Sequence, residues 1–330
     1  MSENNINKSI RLIDLVPNEW FSVKEKSSIW ISCYRIFRTL ANFSSGCITI
    51  KLPNVSAVIL LGKVHYLDSS LARIEYITEE QWSFDVSKIQ ERDTPEGTYL
   101  LLLTPFDIDG QEGNEPAVKQ LLQETVALLI SINGRNIAFE HIFDNIAPMN
   151  GGPLTVISPV SENPLWFPAF ELSDNRISKI TNAAKTIDLL PKEQGNRIKL
   201  SLRWFESAMR QSGVDSFLSY WIALETLSMD STDIRPINEI LAKIYGLSNF
   251  KEAKSTFGVG HIFGLRGLIV HQGQIIPIHA VLQKYMGALY TDILLEKLGL
   301  PSEYQTKAVL DDPTFDFQTY IVAYLSKYEK

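Results

Sequence analysis

Cysteine is scarce in this chain, which has only two such residues, Cys33 and Cys47, among its 330 positions. They form no CxxC pair, and no cluster of Cys and His follows at metal-ligand spacing. These absences exclude a disulfide scaffold and a structural zinc site. We therefore expect two reduced, buried thiols, no bound metal and no cofactor.

Positive charge is also in deficit, because 31 Lys and Arg oppose 38 Asp and Glu and leave a formal net charge of −7. Non-specific binding to nucleic acid depends on clustered basic side chains. The balance therefore argues against a protein that coats RNA or DNA, and any RNA chemistry must depend on a small basic pocket or an assembled surface.

Long apolar runs are lacking as well. Segments such as 57–61 and 99–103 are far too short to span a bilayer, and residues 1–9 are polar where a secretory signal would be apolar. The sequence therefore predicts a cytoplasmic protein that makes no contact with a membrane.

Short apolar segments separated by turn residues fill the part between residues 28 and 105. Their period of two predicts strands of an antiparallel or mixed sheet. An apolar stripe over 115–132, ended by Asn133 and Gly134, predicts one amphipathic helix packed on that sheet. The strands are predicted at 45–52, 57–67 and 99–104, whereas 29–41 fits either a strand or a helix.

Two domains are expected, because single cores become uncommon beyond about 250 to 300 residues. The Gly- and Pro-rich segment 149–168 predicts a boundary near residue 172. We predict an α+β domain over 1–172 and an all-α bundle of five or six helices over 173–330. Helices are predicted around 198–209, 217–227, 236–245 and 277–298.

One hexapeptide of the helical half, residues 266–271, carries a cation and an imidazole separated by four residues. Arg266 offers a planar permanent charge for a phosphate, and His271 offers a proton donor or acceptor near neutral pH. Attack of a ribose 2′-hydroxyl on its neighbouring phosphate needs a base, an acid and a group that stabilises negative charge. Spacing alone is weak evidence, since Arg135 and His141 form a similar pair.

Further segments accompany this hexapeptide. Arg-Trp-Phe stands at 203–205, Trp-Ile-Ala-Leu-Glu at 221–225, and Gly273 follows the His. Together, over roughly residues 175 to 300, they resemble the HEPN superfamily of helical-bundle proteins, and most of all its Apea-like HEPN branch. The resemblance implies a HEPN-like bundle with a C-terminal extension, in which Arg266 and His271 form a metal-independent ribonuclease site.

The resemblance also implies partners. One His cannot easily act at both ends of an in-line displacement, and HEPN proteins place two copies of the element across one cleft of a homodimer. We therefore expect a homodimer, an RNA substrate, and a toxin or antiviral defence role. The N-terminal domain would sense a trigger, respond to a protein inhibitor or select substrate. The sequence departs from the family at Gly267, where HEPN nucleases usually carry a small polar residue.

Other interpretations of these residues stay open. Glu225 shares a helical stripe with Trp221 and is expected to be half-buried, either supporting the catalytic pair or forming a plain salt bridge with Arg203 or Arg266. Positions five apart on a helix point about 140° from one another, so either the helix ends near His271 or Arg266 reaches around it. A catalytically inactive HEPN-like dimeric binding or scaffold module is the alternative function, and a small-molecule sensor is a third.

Overall fold

The computed structural model of the chain describes residues 15–17, 19–20, 27–36, 47–67, 75–77, 91–93, 97–107, 111–133, 139–148, 155–157, 173–312, 316 and 319–320. The chain divides into two compact units, Met1–Lys185 and Thr186–Lys330. An antiparallel sheet dominates the first unit, and the second is helical. The predicted boundary near residue 172 lies outside the described residues.

The first unit is built on a sheet in the order β2-β3-β6-β1-β7-β8, in which all pairs are antiparallel and β4 and β5 both pair with β3. The predicted antiparallel strands and the predicted helix are confirmed. The elements are β1 (Ser27–Ile36), β2 (Cys47–Lys51), β3 (Ser56–Leu67), β4 (Glu75–Ile77), β5 (Glu91–Asp93), β6 (Gly97–Asp107), α1 (Gln111–Asn133), β7 (Phe139–Pro148) and β8 (Thr155–Ile157).

The sequence left residues 29–41 open between a strand and a helix, and the structure shows a strand, β1, up to Ile36. Residues 37–41 lie outside the described part of the chain. Strand β1 lies inside the sheet, where Trp30 pairs with Thr104 of β6 on one side and with Ile146 of β7 on the other. Trp30 and Ile31 point to opposite faces and are both fully buried. A strand covered on both faces has no polar alternation, and for that reason its period was ambiguous.

Strand β7 carries one extra residue opposite β1, because Cys33 pairs with Phe143 whereas Tyr34 pairs with His141. Residues three apart on a regular strand point to opposite faces. The bulge shifts that alternation and brings His141 onto the face of Asp144. The His141 Nε2 lies 3.0 Å from the Asp144 Oδ1.

A buried polar network forms around Asp144, whose residue is only 3% exposed. The Ser32 hydroxyl donates to the Asp144 carboxylate, and the Trp30 Nε1–H donates to the Ser32 Oγ at 3.3 Å. Burial alone would raise the pKa of this carboxyl, but the hydrogen bond and charge of His141 and the hydrogen bond of Ser32 outweigh it and lower the pKa. Beside it, Cys33 is a free buried thiol, as predicted, and burial raises its pKa.

The rest of the described chain is helical. It has eight helices rather than the five or six expected, because two of them are too short to show a period: α2 (Asp174–Leu189), α3 (Lys192–Arg210), α4 (Gly213–Ser228), α5 (Arg235–Tyr245), α6 (Phe250–Phe257), α7 (Val259–Gln272), α8 (Ala280–Lys297) and α9 (Gln305–Leu310). No helix within the described residues is long and apolar enough to cross a membrane.

The second unit also has a buried carboxylate, Asp292 of α8, which is fully enclosed. It accepts hydrogen bonds from the Tyr245 hydroxyl at 2.6 Å and from the backbone N–H groups of Gln305 and Thr306 at 3.0 and 2.7 Å. These N–H groups begin α9, where the helix dipole favours a negative charge. Asp292 therefore attaches α9 to the side of α8.

Replacing Asp144 with Asn is expected to lower the free energy of unfolding at pH 7 by about 2 kcal/mol, since a buried charge-assisted network loses its anion. The pKa of the folded carboxyl lies below its ordinary value of 3.8, so this stabilisation is present above about pH 4 and is lost as the pH falls through the folded-state pKa. Urea unfolding of the full chain from pH 3 to pH 7 measures it.

The matched control is Asp311→Asn, because Asp311 is exposed. Its unfolding free energy should stay within about 0.5 kcal/mol of the native chain at every pH. A difference between the native chain and Asp144→Asn that keeps the same size down to pH 3 would contradict the role assigned to the carboxylate.

Candidate active site

Helix α7 carries both residues of the predicted pair. It begins after Gly258 and ends before Gly273, two glycines with left-handed φ of 62° and 63°. Ile262, Leu265 and Leu268 are buried and fix the helix to the rest of the unit. Gly258 is the junction of α6 and α7 and caps both helices.

Arg266 and His271 contact each other directly. The Arg266 Nη1 lies 2.9 Å from the His271 Nε2. A guanidinium can only donate, so the His271 Nε2 is the acceptor in this contact. The helix continues to Gln272, so the long Arg side chain reaches around it and overcomes the angle between positions five apart.

Glu225 of α4 lies on the other side of the guanidinium. Its Oε1 is 3.9 Å from the Arg266 Nη2, an ionic contact longer than a hydrogen bond. The two side chains are 27% and 24% exposed, which matches the half-buried position expected for Glu225. The carboxylate thus faces the guanidinium, and the order of groups is Glu225, Arg266, His271.

An aromatic contact joins α4 and α7 near these residues. Trp221 and Phe263 lie one turn before Glu225 and Arg266 on α4 and α7, and their ring centroids are 5.7 Å apart. Trp221 is fully buried. Because residues one turn apart share a helix face, this contact lies on the same sides of the two helices as Glu225 and Arg266.

Two exposed apolar residues lie close to His271 in the sequence. Val270 is 47% exposed, and Ile275, in the loop that follows α7, is 95% exposed. His271 is itself exposed, and the neighbouring Gln272 and Gln274 pair through their side-chain amides at 3.1 Å. The sequence showed no sign of this exposure, because an apolar residue in a loop is usually buried under its neighbours.

The other histidines considered have different surroundings. His141, of the near match, belongs to the Asp144 network, and its partner Arg135 lies outside the described residues. His279 caps α8, its Nδ1 accepting from the Val281 N–H at 3.2 Å. Within the described part of the chain, no group of three or more His, Cys, Asp or Glu is arranged to hold a metal ion.

Comparison of the chain with protein-family models, curated proteins and solved structures found no match. The resemblance to HEPN proteins therefore depends on the sequence segments alone.

A methyl group should have opposite effects on stability at Gly267, within α7, and at Gly273, which caps the end of α7. A Cβ at Gly267 would meet no atom within 4 Å, so Gly267→Ala should stabilise the helix by roughly 0.5–1 kcal/mol. Gly273 has a φ of +63°, so Gly273→Ala should destabilise it by about 1 kcal/mol. Thermal unfolding of the full chain measures both, and a loss of stability in Gly267→Ala would contradict the open space at that position.

Proposed function

We propose that the chain is a metal-independent endoribonuclease of the HEPN type, with Arg266 and His271 as its catalytic residues. The observation that supports this most directly is the 2.9 Å contact between the guanidinium and the imidazole at an exposed helix end. A phosphate-binding cation and a neutral base at this separation can act on the same phosphodiester. Glu225 is the supporting residue, since its carboxylate forms an ionic contact with the Arg266 Nη2 at 3.9 Å.

The proposed reaction is transesterification within the RNA strand. The neutral Nε2 of one His271 takes the proton of a ribose 2′-hydroxyl as its oxygen attacks the adjacent phosphorus. The bond from phosphorus to the 5′-oxygen breaks, and this oxygen takes a proton from a second, protonated imidazole. The products are a 2′,3′-cyclic phosphate and a 5′-hydroxyl, and Arg266 neutralises the charge that builds on the phosphoryl oxygens.

The second imidazole is proposed to come from another copy of the chain. Each chain offers one His271, and an in-line displacement needs acid and base on opposite sides of the phosphorus. The exposed Val270 and Ile275 beside His271 give the two copies an apolar surface to bury. A two-fold axis through this surface would place both pairs on one cleft.

The biological role proposed is RNA cleavage in toxin or antiviral defence, which follows from the HEPN resemblance. The sheet-containing N-terminal unit would then regulate the helical one, by sensing a trigger or by binding a protein inhibitor.

A second candidate function is a HEPN-like dimeric scaffold without catalysis. Two observations favour it: the guanidinium of Arg266 already has partners on both sides, and Gly267 brings no hydroxyl to the site. A scaffold would leave RNA intact and would copurify with a protein partner in a fixed ratio.

His271→Ala is expected to reduce RNA cleavage at least 100-fold, the order of a lost general base or acid. Arg266→Ala should lose about as much through the phosphate. Purified native protein is incubated with a mixed RNA pool in EDTA, and the 2′,3′-cyclic ends are counted.

The control is His261→Ala, another exposed His on the same helix, which should cleave at the native rate. Native activity in both site variants would refute the assignment of the site. Cleavage that needs added metal would refute the mechanism.

Ile275→Asp is expected to convert a dimer to monomers and to reduce cleavage to the level of His271→Ala, because charge is placed in the apolar surface beside the site. The matched control is Leu189→Asp, since Leu189 is an exposed apolar residue, at 86%, on a different helix. Light scattering after gel filtration gives the mass. A native chain that is monomeric yet fully active would contradict the two-copy site.

A further inference from the structure

The N-terminal unit contains a pocket that the proposed nuclease site does not use. Its volume is about 250 Å³, and its walls come from residues 17, 19 and 20, the end of β2 with the turn after it, and α2. The lining residues are Pro17, Glu19, Trp20, Lys51, Leu52, Pro53 and Lys185.

Internal hydrogen bonds hold two of these walls in place. The Leu52 N–H donates to the Val55 carbonyl at 2.8 Å and closes the turn between β2 and β3, and the Thr104 hydroxyl donates to the Asn54 carbonyl at 2.8 Å. The Ser56 hydroxyl donates to the Leu15 carbonyl and ties the first turn to β3. The pocket is therefore largely formed before any ligand enters it.

Two ammonium groups belong to this pocket, those of Lys51 and Lys185. Both residues are exposed, and neither forms an ion pair within the part of the chain that the structure describes. Glu19 also lines the pocket, so its lining carries two positive charges and one negative charge, a local excess of positive charge in a chain whose net charge is −7. Lysine is a common phosphate ligand.

The remaining walls suit a flat ring. Trp20 is half-buried, so part of its indole is accessible, and Leu52 is a buried apolar residue of the lining. Nucleic-acid bases stack on such rings whatever their sequence. Glu19 adds an acceptor for an exocyclic amino group, the group that carboxylates recognise on cytosine.

We propose that this pocket binds a single nucleotide, with its base on Trp20 and its phosphate between Lys51 and Lys185. The volume of about 250 Å³ lies just below the range of about 300–1,000 Å³ for drug-sized ligands, which fits one nucleotide better than a dinucleotide. The same chemistry is offered by a free nucleoside monophosphate and by the terminal nucleotide of a strand.

Because of the position of Lys185, nucleotide binding would affect helix α2. This residue lies on α2, and the division between the two compact units falls directly after it. A phosphate bound by both Lys51 and Lys185 would connect the end of β2 to α2, the helix that contains the end of the first unit. Nucleotide binding would thus stabilise α2 in the N-terminal unit.

Isothermal titration calorimetry of the full-length chain tests the inference. CMP, UMP, cytidine and inorganic phosphate are the probes, and a short oligonucleotide of cytidine with a terminal phosphate is compared with CMP to identify the source. Titration is done in the His271→Ala background to keep RNA intact, so failure here leaves the nuclease proposal untouched. We expect CMP to bind about tenfold more tightly than UMP, because only cytosine carries an amino group for Glu19.

Lys51→Gln, Lys185→Gln and Trp20→Leu are each expected to weaken CMP binding about tenfold or more. Lys119→Gln is the matched control, since Lys119 is an exposed lysine of α1 away from the pocket, and it should bind as the parent does. No heat of binding for CMP or the oligonucleotide up to millimolar concentration would overturn the proposal. So would equal affinity for inorganic phosphate and CMP, or equal affinity in all four variants.

Discussion

The register of α4 against α7 decides whether the three candidate site residues meet. Glu225 belongs to one helix and Arg266 to the other, and the Trp221–Phe263 contact lies one turn earlier on the same two helices. A shift by one residue would rotate a side chain by about 100° and move Glu225 off the guanidinium. The contact between Glu225 and Arg266 therefore depends on how the two helices pack, whereas the contact between Arg266 and His271 lies within α7.

Each unit also encloses a carboxylate that joins segments distant in sequence. Asp144 connects β7 to β1 through the Ser32 hydroxyl, and Asp292 connects α8 to the start of α9. A buried anion is costly unless it is fully hydrogen-bonded, so these contacts are specific to one arrangement of the chain. Apolar packing alone would tolerate several registers, and the buried charges exclude all but one of them.

Sequence patterns predicted the elements in which one face is polar. The stripe Phe217, Tyr220, Leu224 and Leu227 is buried on α4 as its period indicated, and the strands around 45–67 are antiparallel. Where both faces are covered, as in β1, or where the helix is apolar all round, as in α7, the period carries no information. The sequence did not predict the β7 bulge either. One extra residue in the strand moves His141 to the other face, and no residue type in the sequence marks that change.

For the site, the residue types indicated the chemistry, but the sequence did not decide whether the two side chains touch. It left two possibilities: the helix ends near His271, or the long Arg266 side chain reaches around it. The structure shows the second, because α7 continues to Gln272 and the two side chains are in contact. That contact has a mechanistic meaning. In the proposed reaction the Nε2 that would accept the 2′-hydroxyl proton is the atom that the guanidinium contacts, so Arg266 would have to turn toward a phosphate before the base could act. Binding of the phosphodiester would then free the base in the same movement that neutralises the phosphate.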